Sequence, residues 1–229
     1  MTTRHRCVLV LAAAAALGGA LISAGPAQAA APPAPSTVAG YYADHATYTS
    51  VTATWVQPKT TCTSPTAYVS FWVGLDGIIS NQVEQIGTQV VCTAGVPAYS
   101  AWYEVYPAPP VIISKPVKPG DTLTASVVYT ATNKFTLTIT NATEGWTATF
   151  VKSLSAPRSS AEIFVQGPGT GGSLANFNKV NFTNCLINNA PLASAGPTGV
   201  DMVSSTGVLQ AHTSALTTPT SFNVTWVHA

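Results

Sequence analysis

Ala161-Glu162-Ile163-Phe164-Val165-Gln166 decides the fold. Side chains alternate in an extended chain, so Ala161, Ile163 and Val165 fall on one side and Glu162, Phe164 and Gln166 on the other. One side is apolar, as a core requires. The other mixes an aromatic ring with polar groups. Outward from this hexapeptide the same kind of segment recurs. Strands are expected at 48–56, 67–73, 82–91, 99–106, 122–129, 135–140, 146–151, 179–182 and 222–227. Asp76-Gly77, Pro119-Gly120-Asp121, Thr132-Asn133 and Glu144-Gly145 read as the turns between them. About ten short strands with almost no helical periodicity mean an all-β chain, built as an antiparallel sandwich or barrel.

Several strands carry a similar second face. Trp102, Glu104 and Tyr106 share one side of their strand; Trp72 falls with Ser70 and Tyr68, while Phe71 and Val73 suit the core. Aromatic and polar groups on one sheet face fit a binding groove, and they also fit an ordinary solvated face. The pattern alone leaves both open.

The first residues read as a targeting segment. Arg4, His5 and Arg6 precede an apolar run from Cys7 to Ala24, and Ala27-Gln28-Ala29 supplies small residues for cleavage after Ala29. Residues 1–29 are thus a signal peptide, 30–37 a Pro- and Ala-rich tail, and 38–229 a single domain, so a secreted, extracellular protein is expected. The alternative, a retained anchor, is set against by the adjacent cleavage site, and no later segment is long and apolar enough to span a membrane. Charged residues make up only 7% of the chain. No basic patch exists for nucleic acid to bind. Few carboxylates also means few ion pairs for acid to break, so acid tolerance is expected. No His or Cys spacing resembles a zinc site, so no metal is expected. A monomer without cofactor is expected as well.

Cys62 and Cys92 flank two strand candidates and can bridge neighbouring loops in an oxidising compartment; Cys185 reads as a buried small hydrophobe. The segment 167–172 is rich in Gly but is followed by no Lys-Ser or Lys-Thr, which argues against a phosphate cradle. His45, His212 and His228 are read in loop-like or terminal segments, which argues against a Ser-His-Asp triad. Trp146, beside a turn, is read as packing. Asn141, Asn181 and Asn223 open Asn-x-Thr acceptor sequences.

Three stretches carry a resemblance. They are Phe71-Trp72-Val73-Gly74-Leu75-Asp76-Gly77, Val83-Glu84-Gln85-Ile86-Gly87-Thr88 and Ala101-Trp102-Tyr103-Glu104-Val105-Tyr106-Pro107. Together with residues 160–166 they resemble the glutamic peptidases, family G1 or eqolisins, formerly peptidase A4. The likeness is to a secreted member of bacterial type and runs from about Val38 to Val227. It implies a concanavalin-like sandwich of two packed antiparallel sheets, a groove for a polypeptide or other extended polymer, and acid endopeptidase chemistry without a metal. It also implies a catalytic Gln and Glu. The Gln matches Gln85. The Glu matches the end of the Ala-Glu motif, where this chain has Gln166. Trp72, Asp76, Trp102, Glu104, Tyr106 and Glu162 are the implied groove and supporting residues. Smaller departures are Val38, where an early Trp is expected, and Ile163-Phe164, where an aromatic residue is moved or replaced.

A carboxamide takes up no proton at working pH, so Gln166 cannot serve as a general base. Glu162 lies four residues from it, roughly 13 Å along a strand, too far to fill that place. Glu84 adjoins Gln85 but points to the opposite face. The resemblance matches Asp76 and Glu104 to acidic positions that accompany the site in the family, and of these Glu104 is the best substitute. Three readings follow: a groove protein with reduced or lost peptidase activity, an active acid endopeptidase using Gln85 with Glu104 or another carboxylate, or a carbohydrate-binding sandwich.

Overall fold

Phe135, Leu137 and Ile139 are fully buried while Thr136, Thr138 and Thr140 between them face outward, and this two-residue period builds both layers of the molecule. A computed structural model describes residues 34–169 and 172–229, which belong to one unit. The expected leader 1–29, residues 30–33 of the tail, and Thr170 and Gly171 of the Gly-rich loop lie outside the described residues.

One sheet has seven strands in the order β13 (Thr198–Val200), β1 (Val38–Ala43), β10 (Ala161–Gln166), β3 (Tyr68–Leu75), β4 (Val83–Thr93), β5 (Val96–Tyr106) and β6 (Val111–Ile113). The other runs β14 (Met202–Val203), β15 (Leu209–Thr213), β16 (Phe222–Trp226), β11 (Lys179–Ile187), β2 (Ser50–Val56), β7 (Thr122–Ala131), β8 (Lys134–Asn141) and β9 (Trp146–Ser153), with β12 (Ala190–Pro191) beside β11. All strand pairs are antiparallel, and a short 3-10 turn at Leu192–Ala195 is the sole helical element among the described residues. The chain is therefore the two-sheet, all-β sandwich expected from its strand pattern. The core lies between the sheets. Tyr103 of β5 stacks on Phe150 of β9 at 4.2 Å, and Trp55, Phe182 and Phe222 fill the opposite half.

Strands β1, β6 and β12–β15 escape the sequence reading because they are short or rich in Ala and Gly. Pairing begins at Ser36, bridged to Val203, so the domain starts within the expected tail. His212 sits on strand β15, a correction to its reading as a loop residue; it is exposed and faces Asp201 at 3.1 Å. Cys62 and Cys92 form a disulfide, and Cys185 is free and buried, its thiol pushed up to about 12 by burial. Trp146 packs as expected, donating its indole N–H to the Pro116 carbonyl at 2.8 Å. Asn141 is buried and donates to Asp121 at 2.7 Å, which closes that acceptor site in the folded chain.

The outward face of the larger sheet is covered by hydroxyls. Thr54, Thr124, Thr140 and Thr147 stand in register across four strands. Neighbours bond at 2.9 Å (Thr54 to Thr124) and 3.0 Å (Thr140 to Thr147).

Glu84 is the exception on the inward face of β4. It is fully buried, and neither carboxyl oxygen has a hydrogen-bond partner. Burial first, and the nearby negative charge of Asp76 second, raise it to about 8. Unfolded, the same group ionises near 4.5. Between those values the folded chain holds more protons, so stability is fullest below the lower value and declines as pH climbs to the upper one. Thermal melting at a series of pH values is expected to give a higher midpoint at mildly acidic than at mildly alkaline pH. Glu84→Gln is expected to remove a large part of that slope, an effect on the order of a few kcal/mol.

Candidate active site

Gly74 sits between Glu162 and Gln85 in the register of three adjacent strands: Glu162 of β10 pairs with Gly74 of β3, and Gly74 pairs with Gln85 of β4. Glu104 of β5 continues the row beyond Gln85. Directly paired residues point to the same face, so Glu162, Gln85 and Glu104 all project from the outer side of the seven-stranded sheet. Gly74 has no side chain to separate its neighbours. A Cβ there would stand 3.3 Å from Glu162 Oε2 and 3.3 Å from Gln85 Cβ. The carboxyl of Glu162 thus leans over the bare backbone towards Gln85, closer to its Cβ than twice that distance.

The electrostatics of the row are uneven. Gln85 donates an Nε2 proton to Glu104, which fixes the amide plane and leaves Gln85 Oε1 buried without a partner. Glu104 is half-buried; desolvation raises it, and the Gln85 hydrogen bond partly offsets this. Glu162 is buried, and no hydrogen bond reaches either of its oxygens. Burial is the main cause holding it well above 4.5; the Ser160 hydroxyl, near the carboxyl but outside hydrogen-bond geometry, offsets part of this, and the charges of Asp76 and Glu84 add to the rise.

The next rows have different chemistry. Phe164, Trp72, Gly87 and Trp102 stand side by side, and the three aromatic residues form a packed cluster. Phe164 meets Trp72 edge-on at 5.4 Å. Trp72 and Trp102 are buried, so they make a floor and offer no open stacking surface for a sugar ring. Beyond them Gln166 pairs with Ser70, and Ser70 with Gln89. Gln166 is therefore four residues along and two strands across from Gln85, about 16 Å between Cα atoms at ordinary strand spacings. Both residues line one cleft of about 250 Å³, together with Val38, Trp72, Ile78, Val83, Glu162 and Phe164.

Asp76 also borders the cleft, but its carboxylate is occupied. Its oxygens accept the backbone N–H groups of Arg158 at 2.9 Å and Ser159 at 2.8 Å, and the Ser159 hydroxyl at 3.0 Å. It thereby ties the end of β3 to the segment entering β10. Tyr106 is exposed at the rim, paired in register with Val83. The sequence reading closes the 67–73 strand at Gly74, whereas β3 runs through it to Leu75; a Gly inside a strand signals close approach of neighbouring groups. No cluster of His, Cys, Asp and Glu among the described residues is arranged to hold a metal ion.

Comparison with known proteins agrees with this architecture. Solved structures of scytalido-glutamic peptidase with a transition-state analogue inhibitor superpose with a TM-score of 0.73 at 22% identity, covering 84% of this chain and 98% of that one. SCP-B, an eqolisin solved with the tripeptide Ala-Ile-His, gives 0.69 at 21% identity, covering 84% of this chain and 98% of that one. Aspergilloglutamic peptidase from Aspergillus niger gives 0.60 at 26%, covering 70% of this chain and 99% of that one. No curated protein sequence matches. Residues 36–226, nearly all of the folded part, match the peptidase A4 family. The chain belongs to that family, the glutamic peptidases of the eqolisin group.

Proposed function

We propose that the protein is a secreted glutamic endopeptidase whose reacting pair is Gln85 and Glu162. The observation that carries this reading is the shared row: Glu162 faces Gln85 across a residue with no side chain. Family membership and peptide-sized relatives' ligands support a polypeptide lying in the cleft. The disulfide, and the lack of any membrane-length apolar helix among the described residues, are consistent with an exported protein, and a monomer without nucleic-acid partners is proposed with it.

A water between the two side chains would give its proton to the Glu162 carboxylate and attack the peptide carbonyl. The unpartnered Gln85 Oε1 accepts the water's other hydrogen, and the Nε2 proton not used by Glu104 meets the negative charge that grows on the carbonyl oxygen. Glu162, now protonated, passes its proton to the departing amine. Glu104 acts as a positioning residue, since its hydrogen bond sets which way the Gln85 amide points.

Gln166 supports a second reading, in which catalysis is weakened because the family's Glu is absent there; its carboxamide lines the same cleft. The row geometry favours the first, since position 166 lies too far from Gln85 for one water to touch both. Digestion of an unfolded protein separates the two. The natural protein is expected to cleave it, and Glu162→Gln to reduce kcat/KM by about 10²- to 10⁴-fold. Gln166→Glu is expected to leave the rate of the same order. A natural protein that is inert until Gln166→Glu is made would reverse the assignment.

Two further outcomes follow from the site's chemistry. A general base works in its ionised form, and the proton on Glu162 is held well above 4.5. The acid limb of the kcat/KM profile is therefore expected above pH 4.5, with activity rising as pH increases through it. Gly74→Ala would put a methyl group 2.9 Å from Trp72 Cζ3, within the gap between Gln85 and Glu162. It is expected to lower kcat by at least about 10²-fold while circular dichroism still reports a folded sheet.

A further inference from the structure

The end of the cleft beside Glu162 and Gln85 carries an apolar lip. Asp76, at φ 66°, turns the chain out of β3, and Gly77, at φ 109°, folds it back against β4. A Cβ on Gly77 would stand 2.6 Å from Val83 Cγ2, so the loop packs closely against the strand. The loop is also pinned. Gly77 N–H donates to Ser80 Oγ at 3.2 Å, the Ser80 hydroxyl reaches the Gln82 carbonyl at 3.1 Å, and Ile78 N–H reaches Ser160 Oγ at 3.4 Å. This fixed loop leaves Ile78 37% exposed and Ile79 63% exposed. Tyr106, across from Val83 in the register, is 48% exposed.

A single exposed Ile needs no explanation, but Ile78, which lines the cleft, and its exposed neighbour Ile79 on the same pinned loop form a contact surface. The cleft walls nearby are hydrocarbon, from Val83, Trp72 and Phe164. No Lys, Arg or His lines the cleft, and the Asp76 carboxylate is taken up by the 158–159 backbone. An anionic side chain entering there would lose water and meet no counter-ion, and a cationic one would meet only Glu162, whose burial favours the neutral acid. A large apolar one would cover the isoleucines.

We infer that the Ile78–Ile79 lip is a specificity element that selects extended peptides with a large apolar side chain next to the bond facing Gln85 and Glu162. The inference rests on the proposed peptide-binding role of the cleft and names the substrate class for it. The lip contributes contact area and leaves the chemistry to the row behind it.

The test uses short peptides of Ala and Gln carrying one Phe at successive positions, with Ser in place of Phe as the control. Cleavage sites and kcat/KM are read by mass spectrometry. Binding is read by calorimetry with the Glu162→Gln protein. The double variant Ile78→Ser, Ile79→Ser changes only exposed loop side chains, and its melting curve checks the fold. The natural lip is expected to favour the best-placed Phe over Ser by about 10- to 100-fold in kcat/KM or in affinity. The double variant is expected to cut that ratio to about 2-fold or less. A Phe preference that survives in the double variant, or no preference in the natural protein, overturns the inference. Lip-dependent binding without cleavage would keep the inference and refute the proposed chemistry. Absence of both binding and cleavage would refute the two together.

Discussion

The absent side chain at residue 74 governs the site. In a β-sheet, residues two strands apart in one row are about 10 Å apart at Cα and normally screened by the side chain between them. Glycine removes the screen. Glu162 then reaches over the backbone of β3, and Gln85 meets it from the other side. Trp72 Cζ3 stands 2.9 Å from the position a Gly74 Cβ would take, Trp72, Trp102 and Phe164 pack together beside the gap, and Glu104 holds the Gln85 amide in one orientation. A helix or loop is not needed to assemble the row, because strand register alone brings three distant segments together.

Burial of carboxyl groups is the cost that accompanies this arrangement. Glu162 and Glu84 stand on opposite faces of one sheet, each without a hydrogen-bond partner, and Asp76 lies close enough to raise both. Neutral carboxylic acids are tolerated in such surroundings far better than carboxylates. The same physics therefore acts on fold and on the proposed chemistry: protons held by Glu84 favour the packed state, and in the proposed reaction the proton held by Glu162 sets when it can act as a base. Asp76 differs, since backbone N–H groups supply the partners that its neighbours lack.

The sheet faces were legible from the sequence because a two-residue period leaves few choices. Ala161–Gln166 was read with its full extent, and the shared face of Trp102, Glu104 and Tyr106 follows from parity alone. What parity cannot supply is register between strands. Parity places Gln166 and Glu162 four residues apart on one strand, but only pairing through Gly74 puts Glu162 in the same row as Gln85, two strands away. Short strands such as Val38–Ala43 were missed because Ala and Gly give little periodic contrast. The burial of Trp72 and Trp102 was also invisible, since whether an outward aromatic ring is open or packed depends on its cross-strand neighbours.

The threonine rows on the larger sheet have a consequence for how the molecule behaves among its own kind. Hydroxyls bonded to one another across strands keep that face wetted without building a long-range field. Added electrolyte screens fixed charges over about 10 Å at moderate strength, but it has little to screen on such a surface. Where those hydroxyls meet water, contact with other molecules is expected to depend on short-range hydration more than on ionic strength.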